Sequence, residues 1–166
     1  MDVEKRFIDF RSVDPEGGDI RGVVMPYGSR ATIGKYTEEF RAGVFTAGLG
    51  DAIVNLQHDR TRPVARIDAG LELMDGDKAL EARIQVPDTP YGREARELVK
   101  ANILRGFSVE FRAIDQEWNG LHRTVNEAHL VAIGLVDRPA YSDAQIQKRF
   151  EEVYGHYSKS WVRYYY

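Results

Sequence analysis

Apolar and polar residues alternate over short stretches through most of residues 6–87, punctuated by glycine, proline and β-branched residues, a pattern that predicts strands rather than helices. Residues 6–11, with Phe7, Ile8 and Phe10, lead into a turn at Asp14-Pro-Glu-Gly-Gly18, and residues 20–25 return as a second strand ended by Pro26-Tyr-Gly28. Residues 29–50 are weakly patterned and read as a long loop with a short helix around 38–45. Residues 52–57 form the next strand, and period-two counting puts Val54, Leu56 and His58 on one face. Two further runs, 63–73 and 79–86, flank Asp75-Gly-Asp-Lys78, a hairpin signal. Thr89 before Pro90 is an N-cap with proline at the first helical position, so Ala95, Leu98, Val99 and Ile103 predict a helix over 90–104.

Gly106 closes that helix, and residues 107–117 alternate again. Phe107, Val109, Phe111 and Ala113 face one way; Ser108, Glu110 and Arg112 face the other. Trp118-Asn-Gly-Leu-His122 predicts a hairpin, and 129–136 is apolar on both faces, as in a central strand covered on both sides. Pro139-Ala-Tyr-Ser-Asp143 opens a second helix that runs to about residue 152. The fold class is α+β and mainly β: an antiparallel-rich barrel of about seven strands flanked by two or three helices. Residues 1–150 make the barrel domain and 151–166 an aromatic tail. The tail holds Tyr154, Tyr157 and Trp161 near one helical face, which suits either packing on the barrel or docking of a scaffold or second protomer.

Composition narrows the chemistry. The 166 residues hold no cysteine, which excludes disulfides, thiolate metal sites and a cysteine nucleophile. A formal charge of −3 with both signs interspersed gives no footprint for nucleic acid. The opening residues lack the apolar run of a signal peptide, and no stretch is apolar and long enough to span a bilayer, so a soluble cytoplasmic protein is expected. No His/Asp/Glu set has metal-ligand spacing, and there is neither a Gly-x-Ser-x-Gly elbow nor a phosphate-binding glycine loop. No cofactor is implied.

What remains is acyl-transfer chemistry. A serine hydroxyl needs a base to act as a nucleophile near neutral pH. Four histidines are available: His58, His122, His129 and His156. Ser108 lies on the polar face of its strand, where an ordinary half-exposed serine is the commoner occupant. His58 ends an apolar strand, where a backbone carbonyl or Asp59 could satisfy it. His129 opens an apolar strand on the face of Val131 and Ile133 and so requires a partner, either another imidazole or a carbonyl. His122 in its turn and His156 in the tail read as solvated. Arg138 could support an oxyanion or simply pair with Asp137 or Glu127.

The order of these motifs carries more than any one of them. Gly22-Val-Val-Met-Pro-Tyr-Gly28, Asn55-Leu-Gln-His58-Asp59 with Pro63-Val-Ala-Arg66, the helix over 91–104, Arg105-Gly-Phe-Ser108-Val-Glu-Phe111 and Leu135-Val-Asp-Arg-Pro-Ala-Tyr141 follow one another in sequence. Over residues 5–150 the chain resembles the prohead (capsid maturation) serine proteases of tailed bacteriophages, which are related to the herpesvirus assemblins. The resemblance implies an assemblin-like barrel and a serine endopeptidase that cleaves scaffold or major capsid precursor segments, and itself, inside a procapsid assembling in the bacterial cytoplasm. It implies a homo-oligomer, dimeric or larger, without nucleic-acid or membrane partners. By position, Ser108 is the nucleophile and His58 the general base. Many relatives carry a glutamate where this chain has Ala132. The third member implied here is therefore His129, as in the herpesvirus pattern, with Glu127 as the alternative and Arg138 as oxyanion support. The loss of that glutamate also motivates a competing expectation: a capsid-assembly barrel that has kept the fold without the catalysis.

Overall fold

The computed structural model of the chain describes residues 2–9, of which 7–9 as backbone alone, and 18–137. Among the described residues there are ten strands and one α-helix. In chain order they are β1 Glu4–Asp9, β2 Asp19–Pro26, β3 Ala31–Ile33, β4 Tyr36–Phe40, β5 Ile53–Leu56, β6 Asp59–Ile67, β7 Gly70–Asp75, β8 Ala79–Gln85, α1 Pro90–Lys100, β9 Gly106–Asn119 and β10 His122–Val136. The strands form one sheet in the order β1-β9-β10-β5-β6-β7-β8-β2, with the β3–β4 hairpin attached to β10 through β4. The sheet curls until β2 touches β1 and β9. It is a mostly antiparallel, barrel-like wall, with ten strands among the described residues where the sequence pattern predicts about seven. The expected second helix lies outside the described residues.

The elements follow from local chemistry where the signals are strong. Thr89 caps α1 by accepting a hydrogen bond from the Gly92 amide at 3.1 Å, satisfying a donor that the first turn leaves free. Ala95 on α1 is fully buried in the core, with Leu98 and Val99 packed against it. Gly120 takes a φ of 60° in the turn that joins β9 to β10, a conformation glycine adopts without steric cost. Those two long strands form the spine of the sheet.

Where the pattern is weak, tertiary contacts decide. The segment expected as a helix around 38–45 is instead β4 followed by turns. β4 lies parallel to β10, which pairs Glu38 with Arg123 and Phe40 with Val125. Glu38 is buried and takes hydrogen bonds from Arg123 at 2.8 Å and from Arg6 at 2.7 Å. Arg123 also donates to Glu4 at 2.7 Å and to Gln116 at 2.6 Å. Phe40 meets Phe111 edge-on, ring centroids 5.2 Å apart. A buried carboxylate must be matched by charged donors, and the extended backbone of β4 is what brings Glu38 to them.

The core lies inside the curl. Phe107, Val109 and Phe111 of β9 face it together with Ile133 and Leu135 of β10 and Val54 and Leu56 of β5. Period-two alternation therefore turns Ser108 and Glu110, Ala132 and Gly134, and Asn55 to the opposite face.

Candidate active site

Three strands bring the site together on that outer face. In register, Gly134 on β10 sits between Ser108 on β9 and Asn55 on β5. One row along, Ala132 sits between Glu110 and Ile53. Beyond β9, β1 adds Phe7 opposite Ser108 and Lys5 opposite Glu110.

His58 reaches this face by leaving its strand. Leu56 pairs with Asp59, so Gln57 and His58 are a two-residue connection between β5 and β6. Their φ angles are 53° and 60°. Positive φ at both central residues is the type I′ hairpin geometry, usually filled by Asn-Gly. For side chains with a Cβ it costs about 1–2 kcal/mol per residue. The Gln57 amide donates to the Leu135 carbonyl at 2.9 Å, tying the turn to β10 next to Gly134. The imidazole then folds back over Gly134: a Cβ built there would lie 2.8 Å from His58 Cε1 and 3.0 Å from each ring nitrogen. His58 therefore does not share the face of Val54 and Leu56, as period-two counting expects; the turn reverses it.

Ser108 is directly opposite Gly134 and 6% exposed. Side chains of such cross-strand partners stand about 5 Å apart at Cβ. The imidazole fills the space that a side chain on Gly134 would take, so His58 lies over the cross-strand partner of Ser108. The fifty positions between them are closed by the β5–β10 and β10–β9 pairings.

Glu110 is the charged group at the histidine. It is 5% exposed, and its Oε1 lies 3.0 Å from His58 Nδ1. The approach is at ion-pair distance but not aligned as a hydrogen bond, and neither ring nitrogen has a hydrogen-bond partner among the described residues. Glu110 also meets Lys5 at 3.0 Å and Arg60 at 3.3 Å. Both cations are more than half exposed, so water screens them. Burial pushes the His58 imidazole below its ordinary value of 6.5, Glu110 pulls it back up, and Lys5 and Arg60 push it down. A neutral imidazole is the form a general base requires.

The other candidates lie elsewhere. His129 is opposite Arg112, the next outward position beyond Glu110 on β9, and its backbone packs against Gly48. A bulge between Leu130 and Ala132 resets the alternation, so Ile133 points into the core opposite Val109 and does not share a face with His129. Glu127 is exposed at another irregularity, opposite Asp115. The structure thus brings Glu110, and neither His129 nor Glu127, to His58. His122 is half-buried, with Nδ1 2.8 Å from Thr37 Oγ1. Arg138, His156 and the aromatic tail lie outside the described residues. Glu110 was missed in the sequence reading although it shares the outward face with Ser108; the usable signal was that shared phase together with Ala132. Among the described residues, no cluster of three His, Asp or Glu could hold a metal, and no helix is long and apolar enough to cross a membrane.

The model of the caudovirus prohead serine protease family matches residues 7–157. Among solved structures, the capsid assembly protease of bacteriophage T4 is similar, with a TM-score of 0.50 and 13% identity, over 82% of this chain and 98% of that one. At that identity the likeness speaks for the fold alone. No curated protein sequence matches the chain.

Proposed function

Because the chain belongs to the caudovirus prohead serine protease family, we propose that it is the serine endopeptidase of capsid maturation and that Ser108, His58 and Glu110 carry its chemistry. The observation on which this rests is the packing of the His58 imidazole over Gly134, the register partner of Ser108, with Nδ1 3.0 Å from Glu110. The Ser108 Oγ forms a bond to the scissile carbonyl carbon while His58 takes the hydroxyl proton. His58 then gives that proton to the departing amine as the C–N bond breaks, and water hydrolyses the acyl-enzyme by the reverse sequence. Glu110 steadies the positive charge that His58 acquires at each transfer.

Glu110 does from β9 what the resemblance leads one to seek on β10. Its register partner is Ala132, the position where many relatives carry glutamate. A carboxylate moved across one strand pair still reaches the same imidazole. This favours a working enzyme over the competing expectation of a barrel without catalysis. The substrates are scaffold or major capsid precursor segments, with self-cleavage, inside the assembling procapsid of a bacterial host. Oligomerisation of the protease and an oxyanion role for Arg138 belong to the same reading.

A fluorophosphonate probe tests the nucleophile. Peptide mapping is expected to find the adduct on Ser108; an adduct on another residue, or none under conditions in which precursor is cleaved, would reject the assignment. Glu110 is tested by pH. The acid limb of kcat/KM is expected below 6.5, because burial lowers the His58 value. Glu110→Gln removes the upward pull and leaves Lys5 and Arg60 acting downward. The acid limb then moves to still lower pH, and kcat falls roughly ten- to a hundredfold. An unchanged limb and unchanged kcat would remove Glu110 from the mechanism.

A further inference from the structure

Asn55 stands in the same row as Ser108 and Gly134 and has no role in the scheme above. It is 1% exposed, yet neither Oδ1 nor Nδ2 has a hydrogen-bond partner among the described residues. Buried amides are nearly always paired, because an unsatisfied donor or acceptor keeps its full desolvation penalty. Val54 and Leu56 on either side of it turn into the core, and Asn55 faces the other way, toward the row of Gly134 and Ser108. The polar group therefore calls for a partner that this arrangement does not supply.

A group with matching needs lies over its register partner: His58. Gly134 is the register partner of both Asn55 and Ser108. The imidazole rests over Gly134, so Asn55 and Ser108 flank it from opposite strands. Both of its nitrogens also lack a hydrogen-bond partner. Two side chains that share Gly134 thus carry complementary unpaired atoms: an imidazole with one N–H and one lone pair, and an amide with an acceptor and a donor. Catalytic hydrogen bonds are often misaligned in an unliganded enzyme and tighten when substrate binds.

We propose that Asn55 is a positioning residue for the base. In the working state its Oδ1 accepts the imidazole N–H from the side opposite Ser108. That contact fixes the tautomer that turns the other nitrogen's lone pair toward the serine hydroxyl. Glu110, shared with Lys5 and Arg60, then supplies charge while Asn55 supplies direction. This role rests on the protease reading.

The test uses the whole chain with Asn55→Leu and Asn55→Asp, read by 15N NMR of the His58 ring, by pH–rate profiles and by thermal unfolding. Asn55→Leu should leave unfolding temperature unchanged or raised, because it removes unpaired buried atoms. It should lower kcat roughly tenfold at unchanged KM, and mix the His58 tautomers. Asn55→Asp keeps the acceptor and adds charge, so a single tautomer persists and the acid limb moves to higher pH. Wild-type tautomer signals and kcat in Asn55→Leu would overturn the proposal. If Asn55→Leu does not fold, an unshifted His58 titration in Asn55→Asp overturns it instead. The ring spectra do not depend on turnover. A chain that neither cleaves precursor nor labels at Ser108 would therefore sink the protease reading while leaving the Asn55–His58 contact to be decided separately.

Discussion

Ser108→Ala is expected to lower cleavage of the capsid precursor by at least about 10⁴-fold, because removing the nucleophile of a serine hydrolase leaves only the residual effect of binding and dipoles. The fold should be indifferent to the change. Ser108 faces away from the core, and losing one hydroxyl there touches none of the apolar contacts of Phe107 and Val109. The measurement is incubation of precursor with wild type and variant at matched concentration, with unfolding curves alongside. Persistent cleavage by a well-folded variant would mean that another group attacks the carbonyl. Unchanged stability with lost cleavage separates the catalytic reading from that of an inert barrel, for which neither quantity should move.

Gly134→Ala is expected to cost about 10²-fold in kcat, because displacing a reacting group by around 1 Å is enough for a loss of this size. A Cβ at this position would meet His58 Cε1 at 2.8 Å, closer than such contacts occur. The group that must give way is the end of a side chain carried on a two-residue turn, so the ring swings aside while the strand holds. The expected loss of stability is correspondingly small, below about 1.5 kcal/mol. A double-mutant cycle makes this specific: in a His58→Ala background, Gly134→Ala should cost no further activity and no stability. Full activity in the single variant would show that the imidazole does not work from its place over Gly134.

The strong local signals were legible in the amino-acid order. Thr89-Pro90 starts α1, Asp75–Lys78 turns β7 into β8, and Asn119-Gly120 turns β9 into β10, because each of these residues favours one backbone geometry over its alternatives. The misreadings have equally local causes. Gln57 and His58 carry none of the glycine or asparagine that usually marks a type I′ turn, so counting by twos ran straight through it and put His58 on the core face. The bulge between Leu130 and Ala132 has no glycine or proline either, yet it reverses the faces of the residues that follow. The residues of β4 read as a helix in sequence because their extended form depends on Arg123 and Arg6, which reach Glu38 only in three dimensions. Glu110 was assigned to the outward face correctly, but its nearness to His58 depends on the turn and the bulge together.

The parallel pairing of β5 with β10 has a temporal consequence. Gly134 must close against Asn55, its register partner from far back in the chain, before the turn carrying His58 can settle beside Ser108. Contacts between distant segments are slow to form, since the entropy of closing the intervening loop is lost before the contact repays it. The β9–β10 hairpin, by contrast, is local and carries the serine alone. A chain part-way through folding therefore holds Ser108 without His58, the proposed nucleophile without its proposed base. In the proposed reading, cleavage of neighbouring polypeptides waits for the β5–β10 closure, and folding itself acts as the first delay on proteolysis.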